Sequence, residues 1–137
     1  MDDFSIELAV RDYECDLQGV VNHARYLHYL EHARHEYLLH CGLDFAKLTA
    51  EGVIVVVVRA EIDYRRSLRS GDRMRVSVRA VRRSRIRLDF LQTITRLQDD
   101  ATVLEAMITT TAVNERGRPW FPQELSALLP SDSEASS

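Results

Sequence analysis

The chain is short of the residues that would announce a covalently braced or membrane-bound protein. Cys15 and Cys41 are its only two cysteines in 137 residues, too few for the disulfide framework of a small secreted domain. Met1-Asp2-Asp3-Phe4 has no basic region followed by an apolar stretch, so no signal peptide is read there. The longest apolar run, Val53 to Val58, falls well below the about 20 residues of a membrane-crossing helix. A cytoplasmic protein without membrane insertion is expected. Net charge is -3, which gives no sign of a nucleic-acid partner. Lysine is almost absent, and the arginines cluster between Arg59 and Arg96. Arginine carries a fork of donors suited to phosphate.

What is present describes one ordinary domain. Hydrophobic residues make up 45% and charged residues 28% of the chain, a balance typical of folded soluble proteins. Residues 1–130 read as a single domain, and the polar end, 131–137, reads as a disordered tail.

Along the chain, Phe4-Ser5-Ile6-Glu7-Leu8-Ala9-Val10 alternates apolar and polar residues, as a strand with one buried face does. A turn-prone stretch, Arg11 to Gly19, follows. From Asn22 to Cys41 the period becomes helical, with Ala24, Leu27, Leu30, Ala33, Tyr37, Leu38 and Cys41 on the apolar stripe. Asn22 is placed to cap the helix and Gly42 to stop it. Arg25, His28, His32, His35 and Glu36 take the other face. A second helical turn is expected at Asp44 to Ala50. Beyond Gly52, strands are read at Val53 to Tyr64, Met74 to Ala80, Ile86 to Ile94 and Val103 to Val113. The valine run is read as a core strand, and Cys15 as packing. The order is strand, long helix, then four consecutive antiparallel strands. One helix cannot cover a flat five-stranded sheet, but a strongly curved sheet can wrap around it. The open edges that remain call for a second copy.

One stretch carries chemistry. Asp16 precedes the long helix, Gly19 follows three residues later, and His23 sits in the first helical turn. Backbone N–H groups at a helix start favour developing negative charge. A carboxylate beside them can act as a base toward water or attack an acyl carbon itself. Gly19 permits a backbone conformation or a close approach that a side chain would block.

The string Asp16-Leu17-Gln18-Gly19-Val20-Val21-Asn22-His23-Ala24-Arg25-Tyr26-Leu27, continued by Glu31-His32-Ala33-Arg34, resembles the signature of the 4-hydroxybenzoyl-CoA thioesterase-like family. The likeness is strongest to bacterial acyl-CoA thioesterases associated with the Tol–Pal system. The start Val10 to Asp16 is also similar to plant acyl-carrier-protein thioesterases related to methylketone synthesis. Leu68-Arg69-Ser70-Gly71-Asp72, Leu104-Glu105-Ala106 and Arg116-Gly117-Arg118-Pro119 extend it over nearly the whole chain.

The resemblance implies an α+β hotdog fold, a curved five-stranded antiparallel sheet around one long helix. It also implies hydrolysis of acyl-CoA or acyl-ACP thioesters by a homo-oligomer, a dimer or a dimer of dimers, with no cofactor. It places Asp16 at the catalytic carboxylate and His23 at the N–H that polarises the thioester carbonyl. Gly19, Val20, Asn22 and Tyr26 then surround the substrate. Arg82, Arg83 and Arg85 are candidates for the phosphates of the carrier, with Arg116 and Arg118 behind them. In one respect the chain departs from the pattern. A tyrosine often found four residues before the carboxylate is Asp12 here, with Tyr13 displaced by one.

Rival readings are a hotdog dehydratase or hydratase, whose differently spaced acid and histidine are not found, and a non-catalytic acyl-CoA sensor. His28 and His32 have a zinc-like spacing, but no third ligand is evident. Cys15 lies between Glu14 and Asp16, the reverse of the setting that activates a thiol.

Overall fold

A computed structural model describes residues 3–129. The order along the chain is β1 (Phe4–Ala9), a 3-10 turn (Asp12–Glu14), α1 (His23–His40), α2 (Phe45–Ala50), β2 (Ile54–Tyr64), β3 (Arg73–Arg82), β4 (Arg87–Arg96), β5 (Ala101–Val113), β6 (Pro119–Trp120) and a 3-10 helix (Gln123–Leu128). Every strand pair is antiparallel. The sheet runs β1-β3-β4-β5-β2, with β6 added on β5. This is the hotdog arrangement, a curved sheet around a central helix.

The sheet has six strands rather than five. The extra strand is two residues long and pairs with Ala112 and Val113, beyond the last β5 residue that β4 reaches. Two residues are too few to leave a pattern. The four later strands also do not follow one another as neighbours. Chain order would place β2 beside β3, but β2 pairs with β5 at the far edge. Residues 65–72 carry the chain from β2 back to β3, a connection longer than hairpin loops usually are.

Strand alternation sorts the side chains as period 2 requires. Met74, Val76, Val78 and Ala80 of β3, Leu88, Phe90 and Ile94 of β4, and Leu104, Ala106 and Ile108 of β5 are buried. Against them α1 buries Tyr26, Tyr29, Leu30, Ala33 and Leu38. The buried stripe is thus rotated from the expected one. Ala24 is exposed and Leu27 is 44% exposed. Two tyrosines take the inward positions instead. One polar bridge ties helix to sheet: the Gln92 amide Nε2 donates to Leu30 O at 3.0 Å, and Arg34 donates to Gln92 Oε1 at 3.0 Å. Burial pushes the Arg34 guanidinium down from its ordinary pKa.

The valine run of β2 is an edge strand, not a core one. With a single neighbour, β2 leaves Val57 51% and Val58 44% exposed. A bulge between Val57 and Arg59 removes Val58 from the ladder. The expected tail, 131–137, lies outside the described residues.

The turn after β4 anchors the crossover segment. Arg96 donates to Ser67 O at 3.1 Å and is held by both carboxylate oxygens of Asp99, at 3.0 and 2.7 Å. That hydrogen-bonded pair, above all else, pulls the Asp99 carboxyl from 3.8 down to about 2. A lowered folded pKa means that the pair stabilises the fold fully above the ordinary value, and that this contribution fades as pH falls through about 2. An NMR pH titration should find the Asp99 carboxyl ionising well below the ordinary aspartate range. Asp99→Asn should flatten the acid limb of the stability curve.

Candidate functional site

The stretch between β1 and α1 is a compact loop closed by its own backbone. Arg11 N–H donates to Glu14 Oε1 at 2.9 Å. Cys15 and Val21 form an antiparallel bridge, and Val20 bridges Arg69. Asp16 N–H donates to Val20 O at 2.9 Å, and Gly19 N–H to Asp16 O at 3.0 Å. Gly19 has φ +78°, a left-handed conformation that costs other residues about 1–2 kcal/mol. Asn22 N–H reaches back to Glu14 O at 3.4 Å. The two ends of the loop therefore meet at the start of the helix.

Within this frame the Asp16 carboxylate is exposed and half committed. Its Oδ1 accepts from Gln18 N–H at 2.9 Å and Val20 N–H at 3.4 Å. Among the described residues Oδ2 has no partner. Asn22 caps α1 through its side chain, which accepts from Ala24 N–H at 2.9 Å. The N–H of His23 is left with no acceptor among the described residues. A carboxylate with one unused oxygen and an uncommitted helix-start donor thus sit at the two ends of a short, closed loop.

The His23 ring stacks on Tyr64, centroid to centroid 4.7 Å at 27°. Tyr64 meets Tyr26 at 5.7 Å. These three residues, with Arg65, Arg66 and Ser67, line a cavity of ≈ 250 Å³. Tyr26 is its floor: it is 2% exposed, and its hydroxyl accepts from Leu68 N–H at 2.9 Å. Burial pushes that phenol above its ordinary pKa. The Tyr26 hydroxyl thus anchors the crossover segment. Tyr13 points outward near the Arg11 and Arg25 guanidinium groups, each 5.8 Å from its ring.

The hairpin arginines stand elsewhere. Arg82 donates to Ser84 O at 3.1 Å and Arg85 O at 2.8 Å, and its guanidinium lies 3.9 Å over the Phe121 ring. Arg83 is 3.2 Å from Asp89. Both are occupied in holding the β3–β4 turn together, and Arg85 is exposed beside them. They lie at one end of β3, whereas the Asp16 loop docks at the other, beyond Arg73. Ten residues of strand at about 3.3 Å each separate the two ends. Within one chain, then, Arg82, Arg83 and Arg85 do not meet Asp16. Arg116 and Arg118 border a different cavity, with Gly52 and Trp120. The cations next to His23 are Arg65 and Arg66, which the sequence showed only as one more pair in an arginine-rich stretch. Among the described residues, no group of three or more His, Cys, Asp or Glu side chains is placed to hold a metal ion.

Residues 10–129 match the model of the thioesterase-like superfamily. The chain belongs to that superfamily. This thioesterase-like chain is 37% identical over 114 residues to a chloroplastic acyl-acyl carrier protein thioesterase of Arabidopsis thaliana, covering 83% of itself and 61% of the plant protein. It thus spans less than two thirds of that relative's length. It is 31% identical over 108 residues to the long-chain acyl-CoA thioesterase FadM of Escherichia coli, covering 79% of itself and 81% of FadM. A solved structure of a hypothetical protein from Aquifex aeolicus superposes with a TM-score of 0.85 at 30% identity, over 91% of this chain and 98% of the other.

The Asn22 cap should be separable from chemistry. Asn22→Ala is expected to cost about 1 kcal/mol in urea unfolding, and Asn22→Asp or Asn22→Ser to restore most of it, since both keep an acceptor for Ala24 N–H.

Proposed function

We propose that this chain hydrolyses acyl thioesters of coenzyme A or acyl carrier protein, with Asp16 as general base or nucleophile and the His23 N–H as oxyanion donor. The observation that carries the reading is the closed loop. A carboxylate with a spare oxygen at one end of that loop and an unengaged helix-start N–H at the other, among the described residues, support the pairing. In the general-base form, Asp16 takes a proton from water as the oxygen adds to the thioester carbon. The negative charge passes to the carbonyl oxygen at the His23 N–H. The carbon–sulfur bond then breaks and the thiolate takes up a proton. A thiol of pKa about 8.5 leaves with little help from an acid, which suits a site this sparse. In the nucleophile form, the same carboxylate oxygen adds to the thioester carbon. The carbon–sulfur bond breaks, and the thiolate leaves and takes up a proton. Water then cleaves the resulting anhydride to the free acid and the Asp16 carboxylate. The thioesterase names of the Arabidopsis and Escherichia relatives support the substrate class.

A homodimer is proposed through β2. An edge strand with unpaired backbone groups and exposed Ile54, Val57 and Val58 invites another strand. Two copies paired there would shield those side chains, and two such dimers could assemble further. No described helix is long and apolar enough to cross a membrane.

Asp16→Asn should lower kcat at least a hundredfold on an acyl-CoA and acyl-ACP panel scored by free thiol release, with the melting temperature little changed. Near-wild-type turnover by that variant would sink the assignment. Val57→Glu should convert the sedimenting species from dimer to monomer. An unchanged mass, or a monomeric wild type, refutes the β2 interface.

A further inference from the structure

Arg65 and Arg66 leave the end of β2 side by side and open on the cavity completed by His23, Tyr26, Tyr64 and Ser67. No carboxylate lines that cavity among the described residues. The two guanidinium groups differ in their commitments. Arg65 lies 2.9 Å from Glu105, and its charge is shared. Arg66 is exposed and has no acidic partner among the described residues.

The backbone that carries them is firmly held. The N–H groups of Arg65 and Arg66 both donate to Val103 O, at 2.8 and 3.1 Å, and Ser67 O accepts from Arg96 at 3.1 Å. The guanidinium of Arg66 is therefore launched from a rigid base, so little backbone order remains to be lost on binding. A planar fork of donors with its charge unspent, beside a serine hydroxyl and an aromatic wall, matches a phosphate group. Of the arginines at the β3–β4 turn, Arg82 already holds two backbone carbonyls and Phe121, and Arg83 holds Asp89, while the exposed Arg85 lines no cavity with His23.

We propose that Arg66, with Ser67 and Arg65 beside it, binds the phosphate of the phosphopantetheine arm. The identity of this ligand rests on the thioesterase reading above. That phosphate is common to coenzyme A and acyl carrier protein, so a site for it serves either carrier.

The test is calorimetric binding of 4'-phosphopantetheine and of pantetheine, which lacks the phosphate, to the wild type and to Arg66→Gln. The wild type should prefer the phosphorylated ligand by about tenfold, the scale of one charge-assisted hydrogen-bonded contact. Arg66→Gln should erase the preference and leave pantetheine affinity within about twofold. The proposal falls if the preference survives in the variant, if the wild type shows none, or if the variant loses pantetheine binding as well. Turnover is not needed for this readout. A wild type that discriminates the phosphate yet cleaves no thioester would refute the hydrolase reading and leave the phosphate site standing.

Discussion

The backbone of Leu68 is gripped from two directions. Its carbonyl accepts the Val21 N–H at 2.9 Å, and its N–H donates to the buried Tyr26 hydroxyl at 2.9 Å. Val21 closes the Asp16 loop and Tyr26 belongs to the first turn of α1, so one residue holds loop, helix start and crossover segment together. Leu68 itself is fully buried. A buried backbone amide without a partner costs about 1–3 kcal/mol, which is the penalty the Tyr26 hydroxyl averts. The positions of Asp16, His23, Arg65 and Arg66 all depend on this junction.

The same junction explains why α1 turns Tyr26 inward. A helix crossing a curved sheet must meet the backbone of a segment that is not in the ladder, and that backbone needs acceptors. A leucine at Tyr26 would fill the space and leave the Leu68 N–H unpaired. Tyr29 does less well: its hydroxyl is buried with no hydrogen-bond partner among the described residues, and desolvation raises its pKa, with the nearby Glu14 carboxylate acting in the same sense. Deeper along the helix, the Arg34–Gln92–Leu30 chain performs the corresponding task for a helix carbonyl.

Edge placement governs the other half of the molecule. β2 carries the most β-branched run of the chain, and such runs usually mark strands buried on both faces. Here the strand lies at the margin, with its bulge and its exposed valines. Its composition agrees with a strand that would be central in an assembly of two copies, consistent with the proposed dimer.

Much of the local structure was legible because it rests on short-range rules. Asn22 and Gly42 bounded the long helix, alternation marked β1, and the later strands were read at Val53 to Tyr64, Met74 to Ala80, Ile86 to Ile94 and Val103 to Val113. The Asp16–His23 spacing is legible as well, since a loop and a helix cap are both written in contiguous residues. Three things were not legible. Pairing of β2 with β5 is a long-range choice that no local period encodes. The two-residue β6 is too short to carry a pattern. The inward turn of Tyr26 and Tyr29 on the helix is not encoded locally, because tyrosine serves equally as surface or core, depending on whether its hydroxyl finds a partner such as Leu68. Arg66 and Arg82 look alike in one dimension. Only folding gives Arg82 Phe121 and two carbonyls to hold and leaves Arg66 without an acidic partner among the described residues, in the cavity with His23, because a guanidinium's role is set by what lies within hydrogen-bond reach of it, and that is decided by the crossover of the chain.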